Sequence, residues 1–154
     1  LLQFDSTHLT HETFTSFARA FTAKGSPFPF LAGLIDGTLQ KNARPVHNQH
    51  LLYNGWKRIH CLKYHAVLSP DGLVIHVFGP IDGRRHDETV FKESSLADLL
   101  EKHFWTPAGE LLYLYGDAGY LVGPHIILPY KEPVLTPQQE VFNREMSRIR
   151  EPVE

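Results

Sequence analysis

The sequence predicts an α/β fold with a mixed sheet flanked by helices. Three observations carry that prediction. Residues 57–69, "KRIHCLKYHAVLS", and 73–79, "LVIHVFG", flank Pro70-Asp71-Gly72 and read as an antiparallel hairpin. Two further apolar runs, Phe30 to Ile35 and "ELLYLYG" from Glu110, read as single strands, the second apolar enough for the centre of a sheet. Helical patterns lie between them, in the order helix, strand, hairpin, helix, strand, helix.

Each element has its own signal. In residues 10–23, "THETFTSFARAFTA", Phe14, Phe17 and Phe21 recur at spacings of three and four, which predicts an amphipathic helix. Lys24-Gly25-Ser26-Pro27 ends it. The first strand follows, and residues 37–53, with Pro45 inside, read as irregular. After the hairpin, "PIDGRRHD" reads as a loop. Thr89 to His103 fits one helix with Val90, Leu96, Leu99 and Leu100 inward. The strand from Glu110 ends at Asp117, and loops containing Pro124, Pro129 and Pro133 follow. The last helix opens on Thr136 as N-cap, Pro137 at its first position and Gln139 closing a capping box. Phe142, Met146, Ile149 and Val153 form its apolar stripe. Asn143, Ser147, Arg150 and Glu154 repeat that spacing one residue on, which puts Glu154 on a polar row beside the core. Pro152 interrupts the pattern, and a proline inside a helix costs about 3 kcal/mol.

The chain has 154 residues, enough for one domain with a real core. Its formal charge of −2 lacks the basic excess of a dedicated nucleic-acid-binding module. An enzyme acting on nucleic acid is still allowed, because acidic metal ligands offset basic contacts. One cysteine, Cys61, excludes an internal disulfide and suits a reducing compartment. No apolar run is long enough to span a bilayer, so no membrane is expected, and no signal peptide is visible. The chain does not begin with Met and stops at Glu154 within a helical pattern, so it reads as a fragment of a longer protein.

The acids carry the chemistry. Asp-Gly occurs at Asp36, Asp71 and Asp82. Asp71 is explained by the hairpin turn, and Asp82 by the loop. Asp36 differs, because it follows a buried strand and no partner strand follows it directly. Asp117 stands at the carboxyl end of the second buried strand, where open α/β sheets place ligands. Taken alone, each acid is more often a cap or turn residue than a ligand. Two of them at strand ends, with Glu154 on a helix edge, form a pattern. Carboxylates that converge repel one another unless a cation sits between them, and hard oxygen donors suit Mg²⁺ or Mn²⁺. Two such ions would activate a water and stabilise the leaving oxygen of a phosphodiester. Asp87 is either a fourth acid of this group or the N-cap of the following helix, and the roles are compatible.

Basic residues are candidate phosphate contacts. Arg84 and Arg85 adjoin Asp87 in a loop and fit DNA contact. Arg58 is a further candidate, whereas Lys57 is better explained as a solvated face. Arg150 precedes Glu154 by four, so an intrahelical ion pair explains it as well as DNA does. Among ten histidines, His60 and His65 face opposite sides of a strand, and with Cys61 alone no zinc spacing forms. His86 is placed to orient Asp87 or a phosphate. No Gly-rich phosphate loop and no Ser nucleophile motif is present. Tyr113, Tyr115 and the Phe residues fit core positions.

The stretches "GLIDGT", "RP", "Q", "YNGWKRIHCLKY", "PDGLVIHVFGPIDGRRHD", "LYGDAGY" and "FNREMSRIREPVE" occur in that order. Together they resemble the DDE superfamily endonuclease domain of Harbinger-type (PIF/Harbinger) transposases, the fungal branch most of all, from about Phe4 to Glu154. The resemblance implies an RNase H-like fold and a metal-dependent Asp-Asp-Glu nuclease. It makes Asp36 in "IDGT", Asp117 in "GDAGY" and the final Glu154 the catalytic acids, and Asp87 of "RRHD" a further metal ligand. It also implies a helical lead-in at residues 1–25 and a nuclease domain at 26–154, cut short in its C-terminal helix. The substrate would be DNA at transposon ends, cut and strand-transferred in the nucleus. DNA recognition would come from a separate protein or from a region before residue 1. The alternative is a transposase-derived host protein that binds DNA or a protein partner without cutting.

Overall fold

The apolar run that ends at Ile35 is only the inner half of a longer strand. In the computed structural model, which describes residues 4–120 and 122–151, the elements begin with α1 His11–Ala23, β1 Leu31–Lys41, α2 Gln49–Leu52, β2 Tyr53–Asn54, β3 Ile59–Leu68 and β4 Val74–Asp82. They continue with α3 Asp87–Glu93, α4 Leu96–His103, β5 Tyr113–Tyr115, β6 Ile126–Ile127 and α5 Pro137–Arg150. The first five residues of β1 are buried and the rest are half-buried or exposed. The outer half, "DGTLQK", runs past the core and therefore lacks an apolar pattern. Antiparallel pairing with β3 keeps it extended, from Leu34 opposite Leu68 to Lys41 opposite Cys61. Asp36 thus lies inside a strand, opposite Ala66, rather than at its end. The stretch expected to be irregular after it holds the rest of β1, α2 and β2.

β3 is the hub of the antiparallel half. Its other edge carries β4 along most of its length and β2 at its start. β1 pairs in parallel with β5, and β5 in parallel with β6. The result is a mixed six-stranded sheet flanked by helices, the RNase H-like α/β arrangement. Adjacent β1 residues face opposite sides of that sheet, and a register shift between Leu31 and Gly33 offsets the alternation at the start of the strand. Ala32 and Ile35 pack with Val67, Leu114 and the α4 residues Leu96 and Leu100. Leu31 and Leu34 pack with Tyr115 and the α5 residues Met146 and Ile149. α1 serves both clusters, through Phe14 and Ala18 in the first and Phe21 in the second. Each such large side chain contributes roughly 1.5–3 kcal/mol when fully buried.

α5 forms with its capping box in place, Thr136 accepting from Gln139 N–H and Gln139 accepting from Thr136 N–H. Three other expectations need correction. The helix expected over Thr89–His103 is two helices, because Ser95 takes a left-handed backbone (φ 53°) and Ser94 turns its hydroxyl onto Phe91 O. Serines favour such local bonds over helix continuation. Asp82 is the last residue of β4, opposite Leu62, and not part of a loop. β6 lies in a stretch expected to be all loop; two residues carry no period to detect.

The inward positions of β3 are Cys61, Lys63, His65 and Val67. His65 is fully buried, with its Nδ1 3.4 Å from Tyr120 Oη and no hydrogen-bond partner for Nε2 among the described residues. Burial, and then the nearby His76 and Lys63, press its pKa down to about 3. His65 is therefore neutral in the fold, while the unfolded chain takes up its proton below the ordinary value of 6.5. Stability that is full above that value is lost as pH falls toward about 3. His65→Leu should flatten thermal-melt stability against pH between about 6.5 and 4, by up to about 1.4 kcal/mol per pH unit. Parallel pH profiles for parent and variant would contradict this origin of acid sensitivity.

Candidate metal centre

Asp36 leaves β1 on the face that α5 covers. There Arg150 Nη2 donates to Asp36 Oδ1 at 2.7 Å, with the two side chains only 14% and 27% exposed. The last turn of α5 is thereby tied to the middle of β1. The sequence offered Glu154 as the ion-pair partner of Arg150; the partner described is Asp36. The Asp36 carboxyl is raised above its ordinary range. Burial is the main cause, Arg150 and the Gly37 N–H oppose it, and Asp117 and then Asp87 add to it. The last two causes place three acids in one electrostatic neighbourhood.

Asp87 approaches from the other face of β1. It is the first residue of α3 rather than its N-cap; that position belongs to His86, which makes no side-chain cap bond. The carboxylate instead lies over Gly37, where any Cβ would run into Asp87 Oδ1. Gly119 is a second point of close approach, where a Cβ would come 3.1 Å from both Asp117 Oδ1 and Asp87 Oδ2. Glycine at both positions gives the acids room to draw together.

Lys63 completes this side of the centre. Its Nζ stands 2.8 Å from Asp87 Oδ1, with the lysine side chain 8% exposed. The contact is an ion pair without hydrogen-bond direction, so Asp87 Oδ1 is buried with no hydrogen-bond donor among the described residues. Lys63 Nζ also donates to Arg85 O at 3.0 Å and so holds the arginine loop onto β3. The signal for Lys63 was present in the sequence, since it alternates with Cys61, His65 and Val67 on the inward face of a strand.

Asp117 stands two residues beyond β5, half-buried, with Gly119 N–H donating to its Oδ1 at 2.8 Å. It lines two clefts. One, of about 630 Å³, it shares with Gly37, Lys63, Arg84, Arg85 and Asp87. The other, of about 470 Å³, it shares with Arg144, Arg148 and Arg150 of α5. Tyr120, three residues on, is buried with its phenol pKa pushed up by burial and then by Asp87, Asp36 and Asp117. The phenol is held neutral beside the acids, a position for which the sequence carried no signal beyond "GDAGY".

The structure therefore gathers Asp36, Asp87 and Asp117 where the buried half of β1 ends. Glu154, with Pro152 and Val153, lies outside the described residues. Arg84 and Arg85 are exposed on the rim of the larger cleft, Arg85 also reaching Glu93 at 3.1 Å. Arg58 is exposed in the turn between β2 and β3, at φ 55°, and Lys57 beside it lines the cleft. Among the described residues, no three His, Cys, Asp or Glu side chains stand close enough to hold a metal ion as they are. The donors present nevertheless fit a hard divalent cation. They are carboxylates, one has a buried oxygen lacking a hydrogen-bond donor, and one is pushed toward protonation by burial, with the other two acids adding to the push. Lys63 and Arg150 hold this set in a charge-balanced arrangement.

The raised Asp36 carboxyl has a measurable consequence. The folded state holds its proton more tightly than the unfolded chain, so the contribution is most favourable below the ordinary value of 3.8 and is lost as pH rises through the folded value. In chelator-containing buffer, the parent should lose stability relative to Asp36→Asn as pH rises from about 4 toward neutrality. Equal slopes in denaturant unfolding across that range would contradict the assignment.

A family profile described as DDE superfamily endonuclease matches residues 35–154, beginning one residue before Asp36. No curated protein and no solved structure gives a significant match to the chain.

Proposed function

The chain belongs to the DDE superfamily endonuclease family, and from that premise we propose that it is a metal-dependent DNA endonuclease that cleaves phosphodiester bonds and transfers strands. The observation that carries this reading is the convergence of Asp36, Asp87 and Asp117 where the buried half of β1 ends, with Asp117 on the wall of two arginine-bearing clefts. Asp36, Asp117 and Glu154 are the catalytic acids in this reading, and with Asp87 they hold Mg²⁺ or Mn²⁺. Bound divalent ions would supply an activated water and stabilisation of the leaving oxygen.

The chain's own residues do the rest. Arg84 and Arg85 on one side, and Arg144 and Arg148 on the other, are placed to grip phosphates flanking Asp117. Phosphate contacts of this kind set register rather than sequence preference. Lys63 keeps Asp87 folded over Gly37. Arg150 holds Asp36 in place from α5, and Asp36 would be one of the residues that hold the ion. Gly37 and Gly119 leave the carboxylates room to close. Tyr120 remains protonated behind them and blocks water from the core side.

Within the family, the stretches "RRHD" and "LYGDAGY" support a Harbinger-type transposase, closest to the fungal branch, acting on chromosomal DNA in the nucleus. A recognition region before residue 1, or a separate protein, would choose the target. A second reading, a transposase-derived protein that binds DNA or a partner without cutting, is favoured by one observation: Asp36 is engaged by Arg150.

Two measurements decide. With Mn²⁺, the protein should convert supercoiled plasmid to nicked circles, and Asp117→Ala should abolish this. Binding without nicking in either metal would favour the second reading, and nicking that survives Asp117→Ala would contradict the site. Separately, Mn²⁺ at about a hundred times its dissociation constant should stabilise the parent by roughly 2.7 kcal/mol in thermal melts. Asp117→Asn removes a charge and a ligand while keeping the shape, so it should shrink that response. An equal response would remove Asp117 from the metal site.

A further inference from the structure

We propose that Trp56 is a base-stacking residue that receives an unpaired base of the DNA beside the cleavage point, an inference that rests on reading the chain as a DNA nuclease. Trp56 is 88% exposed, and its ring meets no other aromatic ring among the described residues. An indole left in water contributes nothing to the core, so the fold does not account for it. It lines the same cleft of about 630 Å³ as Asp87 and Asp117.

The turn that carries it is held in place. Asn54 Oδ1 accepts from Lys57 N–H at 2.9 Å, which closes the turn around Gly55 and Trp56. The other end of the same side chain, Asn54 Nδ2, donates to Gly83 O at 2.7 Å. Gly83 is buried against β3, where a Cβ would run into Cys61 O. One asparagine therefore pins the tryptophan turn to the loop that carries Arg84 and Arg85. The turn that carries the exposed ring is thus fixed relative to the arginine loop.

The surroundings choose the partner. Lys57, Arg58, Arg84 and Arg85 are all exposed around the ring, so an incoming face should be anionic. A protein partner docking on an exposed indole would need an apolar rim, and this rim is charged. Flat aromatic groups joined by phosphates match it: the cations track the backbone while the indole takes a base. A base still paired in a duplex hides its face in the stack, so the fit is to an unpaired base.

The test uses the 154-residue protein in chelator, which separates binding from cleavage. The probes are a labelled duplex containing one unpaired base and its fully paired counterpart. Anisotropy reports affinity. Emission in a Trp105→Phe background reports Trp56, because these are the two tryptophans of the chain. The parent should prefer the unpaired-base duplex, and that duplex should quench Trp56. Trp56→Ala should weaken its binding roughly ten- to a hundredfold. It should leave the paired duplex, the melting temperature and the salt dependence unchanged, because stacking releases no counterions. Trp56→Phe should recover most of the loss. If the parent binds DNA but Trp56 is unquenched and Trp56→Ala binds both duplexes like the parent, the stacking role is overturned and the nuclease reading stands. A loss that is equal for both duplexes and comes with a lower melting temperature would show a structural role and overturn the proposal. Failure of the parent to bind either duplex would overturn both.

Discussion

Like charges drawn together where the buried half of β1 ends are the constraint on which the rest of this structure depends. Asp36, Asp87 and Asp117 come from a strand, a helix start and a post-strand turn, and folding brings them together. Burial raises the Asp36 carboxyl, and the charges of Asp117 and Asp87 add to that rise. The fold meets these charges with two buried or half-buried cations, Lys63 for Asp87 and Arg150 for Asp36. Both contacts span elements far apart in sequence. The first joins β3 to α3, and the second joins α5 to β1. A buried ion pair offers little net stability once desolvation is included, but removing one partner is costly. The pairs are better understood as placing the acids than as holding the protein together; the two apolar clusters do that.

How much of this was legible depends on what each residue's neighbours do. α1, the β3–β4 hairpin and α5 were legible because each turns one regularly spaced set of residues inward. The outer half of β1 was not, because it is held by β3 beyond the edge of the core and has no buried face to mark it. The break at Ser94-Ser95 was hidden by apolar residues that continue across it. Asp36 drew attention as an acid ending an apolar run. The strand in fact continues to Lys41, and what ends at Ile35 is burial.

The acids were visible in the sequence because carboxylates next to apolar strands are out of place. The residues that position them were much less so. Gly37 and Gly119 look like turn glycines until Asp87 is seen lying against both. Lys63 was detectable, since a lysine on the inward side of a strand demands a partner, but the partner sits in another element. Arg150 had a nearer candidate in Glu154, and only the packing of α5 on the sheet brings it to Asp36. Trp56, in a turn of no clear period, acquires meaning from Asn54, which fastens it to the Arg84–Arg85 loop.

The central claim is that the proposed metal site is built on Asp36, Asp87 and Asp117, with Arg150 and Lys63 positioning two of these acids. Crystals of the protein soaked in Mn²⁺, with anomalous scattering measured, test it most directly. The account predicts a Mn²⁺ peak bonded to Asp36 and Asp117. Occupied Mn²⁺ sites elsewhere on the protein, with no peak among the three acids, would contradict it.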